Sequence, residues 1–138
     1  AISDAVFVYT SRLTADLHSK AGNPVYHYIF GYMTRLLKSA GFGTFHALDI
    51  FFVFGIVDTP AFSKEDRVMA RTIVDYWTSF AIKGHPSYET GIEWPLYGYD
   101  DPQSLFLGEE LKVERRLNED VYNFWGGIME RARPLINI

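Results

Sequence analysis

The sequence predicts an α/β protein, on the evidence of one strand and two long helices. Residues 25–30, Val-Tyr-His-Tyr-Ile-Phe, are β-branched or aromatic and apolar on both faces apart from His27. That pattern is typical of a strand covered on both sides in a parallel sheet. Residues 63–83 and 114–133 carry apolar side chains at helical spacing and predict two long amphipathic helices. A covered strand together with helices that bury one face indicates α/β architecture.

The chain is expected to open with a shorter helix. Ser3 or Asp4 can accept hydrogen bonds from the free N–H groups of its first turn. Gly22, followed by Asn23 and Pro24, predicts its end. Its apolar positions recur one turn apart, at Val6, Tyr9, Leu13 and Leu17.

The helix over residues 63–83 has the clearest boundary signals. Ser63 and Asp66 resemble a capping box, and Gly84 followed by Pro86 predicts the end of the helix. Arg71 and Asp75 lie one turn apart and are expected to pair. The predicted apolar face consists of Met69, Ile73, Tyr76, Trp77, Phe80 and Ala81.

The last third of the chain predicts a short terminal hairpin and the final helix. Residues 94–97 and 105–107 read as strands, with Asp100, Asp101 and Pro102 as turn residues between them. Residues 33–39 predict a short helix within the connection after the first strand. The buried stripe of the final helix is predicted to be Leu117, Val121, Phe124, Trp125, Ile128, Met129 and Ala132.

These elements do not supply the neighbours that the first strand requires. A strand that is apolar on both faces needs other strands beside it and helices above and below it. The chain offers one such strand, a short apolar run at residues 51–54 and the terminal hairpin. We therefore expect the missing strands in sequence outside this chain or in another chain.

Composition excludes several classes of function. The chain has 138 residues, enough for one domain, and a net charge of −4 with no clustered basic stripe, so no nucleic-acid partner is expected. It contains no cysteine, which rules out disulfides, thiolate metal sites and a cysteine nucleophile within it. No apolar run is long enough to span a bilayer.

Four histidines are candidates for chemistry: His18, His27, His46 and His85. None is spaced from another as metal-binding pairs on a helix are, so no metal site is expected. His46 lies in a glycine-containing connection after the buried strand, and sites in α/β sheets cluster after the carboxyl ends of strands. Histidine is also the usual general base. From the residues alone, a packed or solvated loop histidine is the alternative interpretation.

The surroundings of His46 resemble a known family. Residues 43–50, GTFHALDI, followed by FVFG at 52–55, resemble the histidine motif of type-B carboxylesterases and cholinesterases. Further segments similar to that family follow in its order: DYWTSFAIKGHP at 75–86, WPLY at 94–97 and LFLG at 105–108. Upstream, PVYHYIF at 24–30 is similar to one of its long strands. The resemblance covers nearly the whole chain.

The resemblance implies that residues 1–138 are the C-terminal part of one α/β-hydrolase domain. It implies a serine esterase without cofactor or metal, acting on small carboxylic esters, with His46 as the catalytic general base. The family nucleophile stands in a Gly-x-Ser-x-Gly elbow, and no such pattern occurs here. The elbow and the triad acid are therefore expected in an N-terminal part or a companion chain, and this chain alone is expected to be inactive.

The residues around the histidine have further expected roles. By the resemblance, Gly43 and Asp49 support the histidine loop; Asp49 as the triad acid is the alternative, because of its closeness in sequence. Phe42, Phe45 and Leu48 are candidates for lining the substrate pocket, or else for packing the loop.

Other expectations concern partners and alternatives. Many animal members of the family carry a disulfide in this region, so its absence favours a microbial-type enzyme. Trp125 and the pair Gly126–Gly127 suggest a homodimer through the last helix. A non-catalytic, cholinesterase-like adhesion module is the alternative function. An independent helical interaction domain is disfavoured, since residues 25–30 would then expose an apolar face.

Overall fold

A computed structural model describes residues 3–89 and 91–133, which form helices and a small mixed sheet. A π-helical segment, Asp4–Tyr9, runs directly into the first α-helix. The α-helices are α1 (Thr10–Lys20), α2 (Arg35–Ser39), α3 (Leu48–Val53), α4 (Lys64–Lys83) and α5 (Glu119–Ala132). The strands are β1 (Tyr28–Phe30), β2 (Gln103–Leu107) and β3 (Leu111–Arg115).

The sheet has the order β1-β2-β3. β1 runs parallel to β2, with Tyr28 opposite Leu105 and Phe30 opposite Leu107. The predicted strand is thus confirmed, but it is shorter than residues 25–30 and is half-buried rather than covered on both faces among the described residues. Within the described part of the chain β1 has a neighbour on one edge, and its residues are half-buried.

The chain divides into two compact units. The first unit comprises the residues up to His27, the segment Leu96–Ser104 and the chain from Glu114. The second unit comprises Tyr28–Pro95 and Leu105–Val113. The fully buried side chains of the second unit are mostly apolar: Phe52, Ile73, Tyr76, Leu105 and Leu107 have no exposed surface.

Helix α4 forms where its sequence signals place it. The Ser63 hydroxyl accepts from the Asp66 amide at 3.1 Å, and the Ser63 amide donates to the Asp66 carboxylate at 3.2 Å, so the capping box is confirmed. Gly84 ends the helix with a φ of 77°, in the left-handed conformation that glycine tolerates best. Met69, Ile73 and Tyr76 are buried as predicted, whereas Phe80 and Ala81 are exposed. The buried face also includes residues that were not predicted for it: Asp66, Ala70, Thr72 and Ser79. Arg71 pairs with Asp58 at 2.8 Å, and not with Asp75.

The prediction for the terminal hairpin and last helix was wrong in its boundaries. The helix begins at Glu119, and residues 111–115 form β3 beside β2. Leu111 and Val113 alternate with charged residues, which is a strand pattern that helix-forming composition obscured. Residues 94–97 are not a strand; one hydrogen bond of 2.8 Å joins the Tyr97 amide to the Val25 carbonyl.

The predicted buried stripes of the first and last helices are also corrected. No described residue of α5 is buried, and Phe124 is 62% exposed. In the first helical region Tyr9, Arg12, Ala15 and Asp16 are buried, whereas Val6 and Leu17 are half exposed. Here hydrogen bonds to Asp16, and not apolar spacing, determine the inward face.

Candidate active site around His46

His46 lies in the turn that leads into α3, and its side chain is exposed. The next residue, Ala47, has a φ of 70°, a left-handed conformation that is uncommon outside glycine. The amide of Leu48 donates to the Phe45 carbonyl at 3.3 Å, and that of Ile50 donates to the Ala47 carbonyl at 3.2 Å. The backbone on either side of the histidine is thus held in a defined turn at a local cost in strain.

Helix α3 presents one buried face and one exposed face. Leu48 and Phe52, four residues apart, are buried, and Phe52 has no exposed surface. The Phe52 ring packs against Phe30 at 5.2 Å and against Tyr32 at 5.5 Å between ring centroids. The opposite face exposes Ile50, Phe51 and Phe54. Apolar packing therefore fixes the helix that follows the histidine.

Asp49 adds a polar attachment to the same helix. The Tyr28 hydroxyl donates to Asp49 Oδ2 at 2.6 Å. Burial, and then this hydrogen bond, raises the pKa of Tyr28 well above its ordinary value, so the phenol stays a neutral donor. The contact agrees with a structural role for Asp49 as an anchor of the histidine loop.

The other residues predicted for the site have different surroundings. Phe42 and Phe45 are largely exposed, and Leu48 is buried. A Cβ added at Gly43 would meet no atom within 4 Å among the described residues. The structure thus places Phe42, Phe45 and His46 on the surface of the described chain and buries Leu48 at the start of α3. Their roles toward a substrate stay predictions.

A second histidine site was missed by the sequence analysis. In the first unit His27 Nε2 lies 3.0 Å from the Ser11 hydroxyl, and Nδ1 lies 2.7 Å from the Ser104 hydroxyl. The Tyr97 ring lies 5.5 Å from the imidazole. Ser11 and Ser104 are 16 and 77 residues from His27, so no local pattern could have brought them together.

The electrostatics of His27 make it a poor base at neutral pH. Burial is the largest cause that lowers its pKa, to about 4; the nearby Arg12 charge lowers it further and Asp16 opposes the shift. A general base works best with a pKa near the operating pH. The Ser11–His27–Ser104 arrangement therefore holds a neutral, weakly basic imidazole between two hydroxyl groups.

The remaining histidines and acids do not assemble into a further centre. His18 and His85 are exposed, at the end of α1 and after α4. Within residues 3–89 and 91–133, no three His, Cys, Asp or Glu side chains converge as metal ligands would. No helix among these residues combines the length and apolarity needed to cross a membrane.

Fold and site together define a class: an α/β protein that presents a histidine on a constrained turn before a short, anchored helix. Sequence comparison gives the family. Residues 1–125 match the Carboxylesterase family, and the chain belongs to it. The α/β-hydrolase expectation is confirmed by this membership together with the parallel β1–β2 pair.

Named relatives agree with this family. The chain is 34% identical, over 94% of its length, to the medium-chain fatty acyl-CoA hydrolase precursor of Anas platyrhynchos. It is 33% identical, over 98% of its length, to carboxylesterase 5A of Canis lupus familiaris. It spans 24% of the length of each. Neuroligin-3 of Mus musculus is 27% identical over 89% of the chain, which spans 18% of that protein.

Proposed function

We propose that the intact protein is a serine carboxylic ester hydrolase and that this chain supplies its general base, His46. The observation that carries the proposal is the family match over residues 1–125, within which the family's histidine motif coincides with an exposed histidine on a constrained turn. The names of the duck and dog relatives, a fatty acyl-CoA hydrolase and a carboxylesterase, support ester or thioester substrates.

In the proposed mechanism a serine hydroxyl attacks the ester carbonyl while His46 takes its proton. The imidazolium then gives that proton to the leaving alkoxide, and the neutral imidazole next activates water against the acyl-enzyme. A carboxylate stabilises the imidazolium, and backbone N–H groups stabilise the oxyanion. Of these parts this chain holds the histidine; Asp49 is hydrogen-bonded to Tyr28, as a structural residue would be.

The serine elbow and the acid are proposed to come from the rest of the hydrolase domain, N-terminal or on a companion chain. Two features of the described residues support further packing. β1 has a paired neighbour on one edge, although central strands of a parallel sheet have two. In the first unit the guanidinium of Arg12 is buried, yet its Nε and Nη1 find no acceptor among the described residues.

Replacing His46 with alanine in the intact protein is expected to abolish ester turnover. Loss of the base leaves a neutral serine as the nucleophile, and loss of a triad member typically costs about four to six orders of magnitude in kcat. The measurement is steady-state hydrolysis of a short-chain aryl ester, with circular dichroism to verify folding. His85→Ala, at another exposed histidine of the same unit, is the control and is expected to retain activity.

Substantial activity in folded His46→Ala would contradict the assignment of the base. Activity in the isolated 138-residue chain, with clean purification controls, would contradict the proposal that the nucleophile lies outside it.

A non-catalytic binding or adhesion module is the second candidate, favoured by the similarity to mouse neuroligin-3. The two candidates differ in whether a Gly-x-Ser-x-Gly serine accompanies His46. A fluorophosphonate probe labels an activated serine, so labelling of the intact protein that is lost in His46→Ala supports the enzyme. Absence of both labelling and ester turnover in folded wild-type protein supports the binding module.

A homodimer through α5 is proposed as well. Phe124 and Met129 leave 62% and 40% of their surface exposed on this helix. Gly127 would allow close approach, since a Cβ there meets no described atom within 4 Å. The intact protein is expected to scatter light as a dimer, and Phe124→Glu is expected to shift it to monomer. A monomeric wild type at high concentration would contradict the dimer.

A further inference from the structure

Tyr28 connects the histidine-bearing helix to the sheet. It is the first residue of β1 and lies opposite Leu105 of β2 in the parallel register. Its hydroxyl reaches Asp49, three residues beyond His46, in the first turn of α3. The hydrogen bond therefore fixes the start of α3 relative to the strand.

The ring of Tyr28 is itself held in place. Trp77 packs edge-on against it with centroids 5.0 Å apart, and Trp94 does so at 5.8 Å. Such aromatic pairs restrict the orientation of the ring. The hydroxyl is thus a donor with a defined position, and burial keeps it protonated.

Helix α3 is held both by apolar packing and by the Tyr28–Asp49 hydrogen bond. Phe52 anchors the far end of the six-residue helix against Phe30 and Tyr32. Leu48 is also buried at the near end, but apolar contacts are not directional and define the helix position less narrowly than a hydrogen bond does. The Tyr28–Asp49 hydrogen bond is directional and acts at the near end, beside His46.

We propose that Tyr28 is a positioning residue for His46, acting through Asp49 at the start of α3. The inference rests on the proposed function. A base displaced by about 1 Å can lose on the order of 100-fold in rate, although nothing touching substrate has changed. Tyr28 does not bind substrate in this scheme, so its effect appears in kcat and not in KM.

The chain offers a matched control in Tyr32. Its hydroxyl donates to Asp66 at 2.9 Å, so the same unit contains a second tyrosine–carboxylate bond. Burial raises the pKa of Tyr32 as it does that of Tyr28. Asp66 belongs to the capping box of α4 and not to the histidine turn. Removing either hydroxyl deletes one tyrosine–carboxylate hydrogen bond. Of these two bonds, the Tyr28–Asp49 bond is the one that lies beside His46.

The test compares Tyr28→Phe with Tyr32→Phe in the intact protein, by kcat, KM and unfolding midpoint. Tyr28→Phe should lower kcat about 10- to 100-fold with KM within about 3-fold, whereas Tyr32→Phe should keep kcat within about 2-fold at a similar loss of stability. Asp49→Asn, which retains a carbonyl acceptor, should rescue most of the kcat lost in Asp49→Ala.

The outcomes separate this inference from the proposed function. An active, folded His46→Ala protein overturns the assignment of the base. An inactive His46→Ala protein with equal kcat in Tyr28→Phe and Tyr32→Phe overturns the positioning role and leaves the base assigned. If Tyr28→Phe does not fold, the Asp49→Asn and Asp49→Ala pair decides: equal kcat in the two overturns the positioning role.

Discussion

The two units differ in what holds their interiors together. In the first unit the Asp16 carboxylate is buried and accepts hydrogen bonds of 2.5 Å from both Tyr97 and Tyr122. Arg12 lies over the Tyr122 ring at 4.4 Å, and together these four residues form the Asp16 cluster. The second unit also contains two tyrosine–carboxylate bonds, Tyr28–Asp49 and Tyr32–Asp66, but most of its fully buried side chains are apolar, such as Phe52 and Ile73. Directional polar bonds depend on protonation and apolar packing does not, so the units should respond differently to pH and to truncation.

The largest expected loss of stability comes from a substitution in the apolar core of the second unit. Phe52→Ala removes a ring with no exposed surface and should lower the free energy of unfolding by about 3–5 kcal/mol, with little dependence on pH. Phe54→Ala on the exposed side should cost within about 0.5 kcal/mol. Denaturant unfolding of the intact protein measures both. Equal losses would contradict the division of this segment into a buried and an exposed face.

The Asp16 cluster should be the next most sensitive region. Asp16→Asn removes the charge and replaces one acceptor oxygen with a donor, so one of the two tyrosine bonds is lost or reversed. The expected cost is about 2–3 kcal/mol. Asp75→Asn, at an exposed position of α4, should be nearly neutral in the same unfolding experiment. A neutral Asp16→Asn would mean that the cluster does not stabilise the first unit.

The smallest expected effect is a loss of stability at acidic pH that comes from His27 in the first unit. The pKa of His27 is about 4 in the folded chain against an ordinary 6.5, so below pH 6.5 the unfolded state takes up a proton that the folded state does not. Stability from this residue is therefore complete above pH 6.5 and falls as the pH drops toward 4, by on the order of 2 kcal/mol.

His27→Gln should remove this part of the pH dependence. The free energy of unfolding of wild type and variant is compared at about pH 7 and about pH 4.5. Tyr32→Phe, in the second unit, should leave the wild-type dependence of the unfolding free energy on pH unchanged. The same slope in wild type and His27→Gln would contradict the lowered pKa.

The elements that the sequence predicts best are those with local signals at both ends. Ser63, Asp66 and Gly84 determine the bounds of α4 by contacts within a few residues, and such contacts are readable in sequence. The boundary of β3 was missed because its residues favour a helix in isolation, and pairing with β2 overrides that preference. The inward face of α1 was missed for a related reason, since Tyr97 and Tyr122 reach Asp16 across 81 and 106 residues.

In the candidate site, too, contiguous residues could be predicted from the sequence, whereas contacts between distant residues could not. The motif around His46 is contiguous, so the sequence alone could single out His46 and Asp49, and their roles stay predictions. The partner of Asp49, Tyr28, lies 21 residues away, and its own neighbourhood carries no signal of this contact. The Ser11–His27–Ser104 arrangement was equally hidden, since only folding brings its three residues together.

The left-handed φ of Ala47 has a consequence for engineering. An alanine in this conformation costs on the order of 1 kcal/mol, and glycine or asparagine would lower that cost. A randomised library at residue 47 selected for heat tolerance should therefore return glycine and asparagine and discard valine and isoleucine. Glycine would also widen the range of backbone angles beside His46, so if His46 is the proposed base, selection for turnover should favour alanine. Thermostability and catalytic rate are thus expected to be traded against each other at one backbone position.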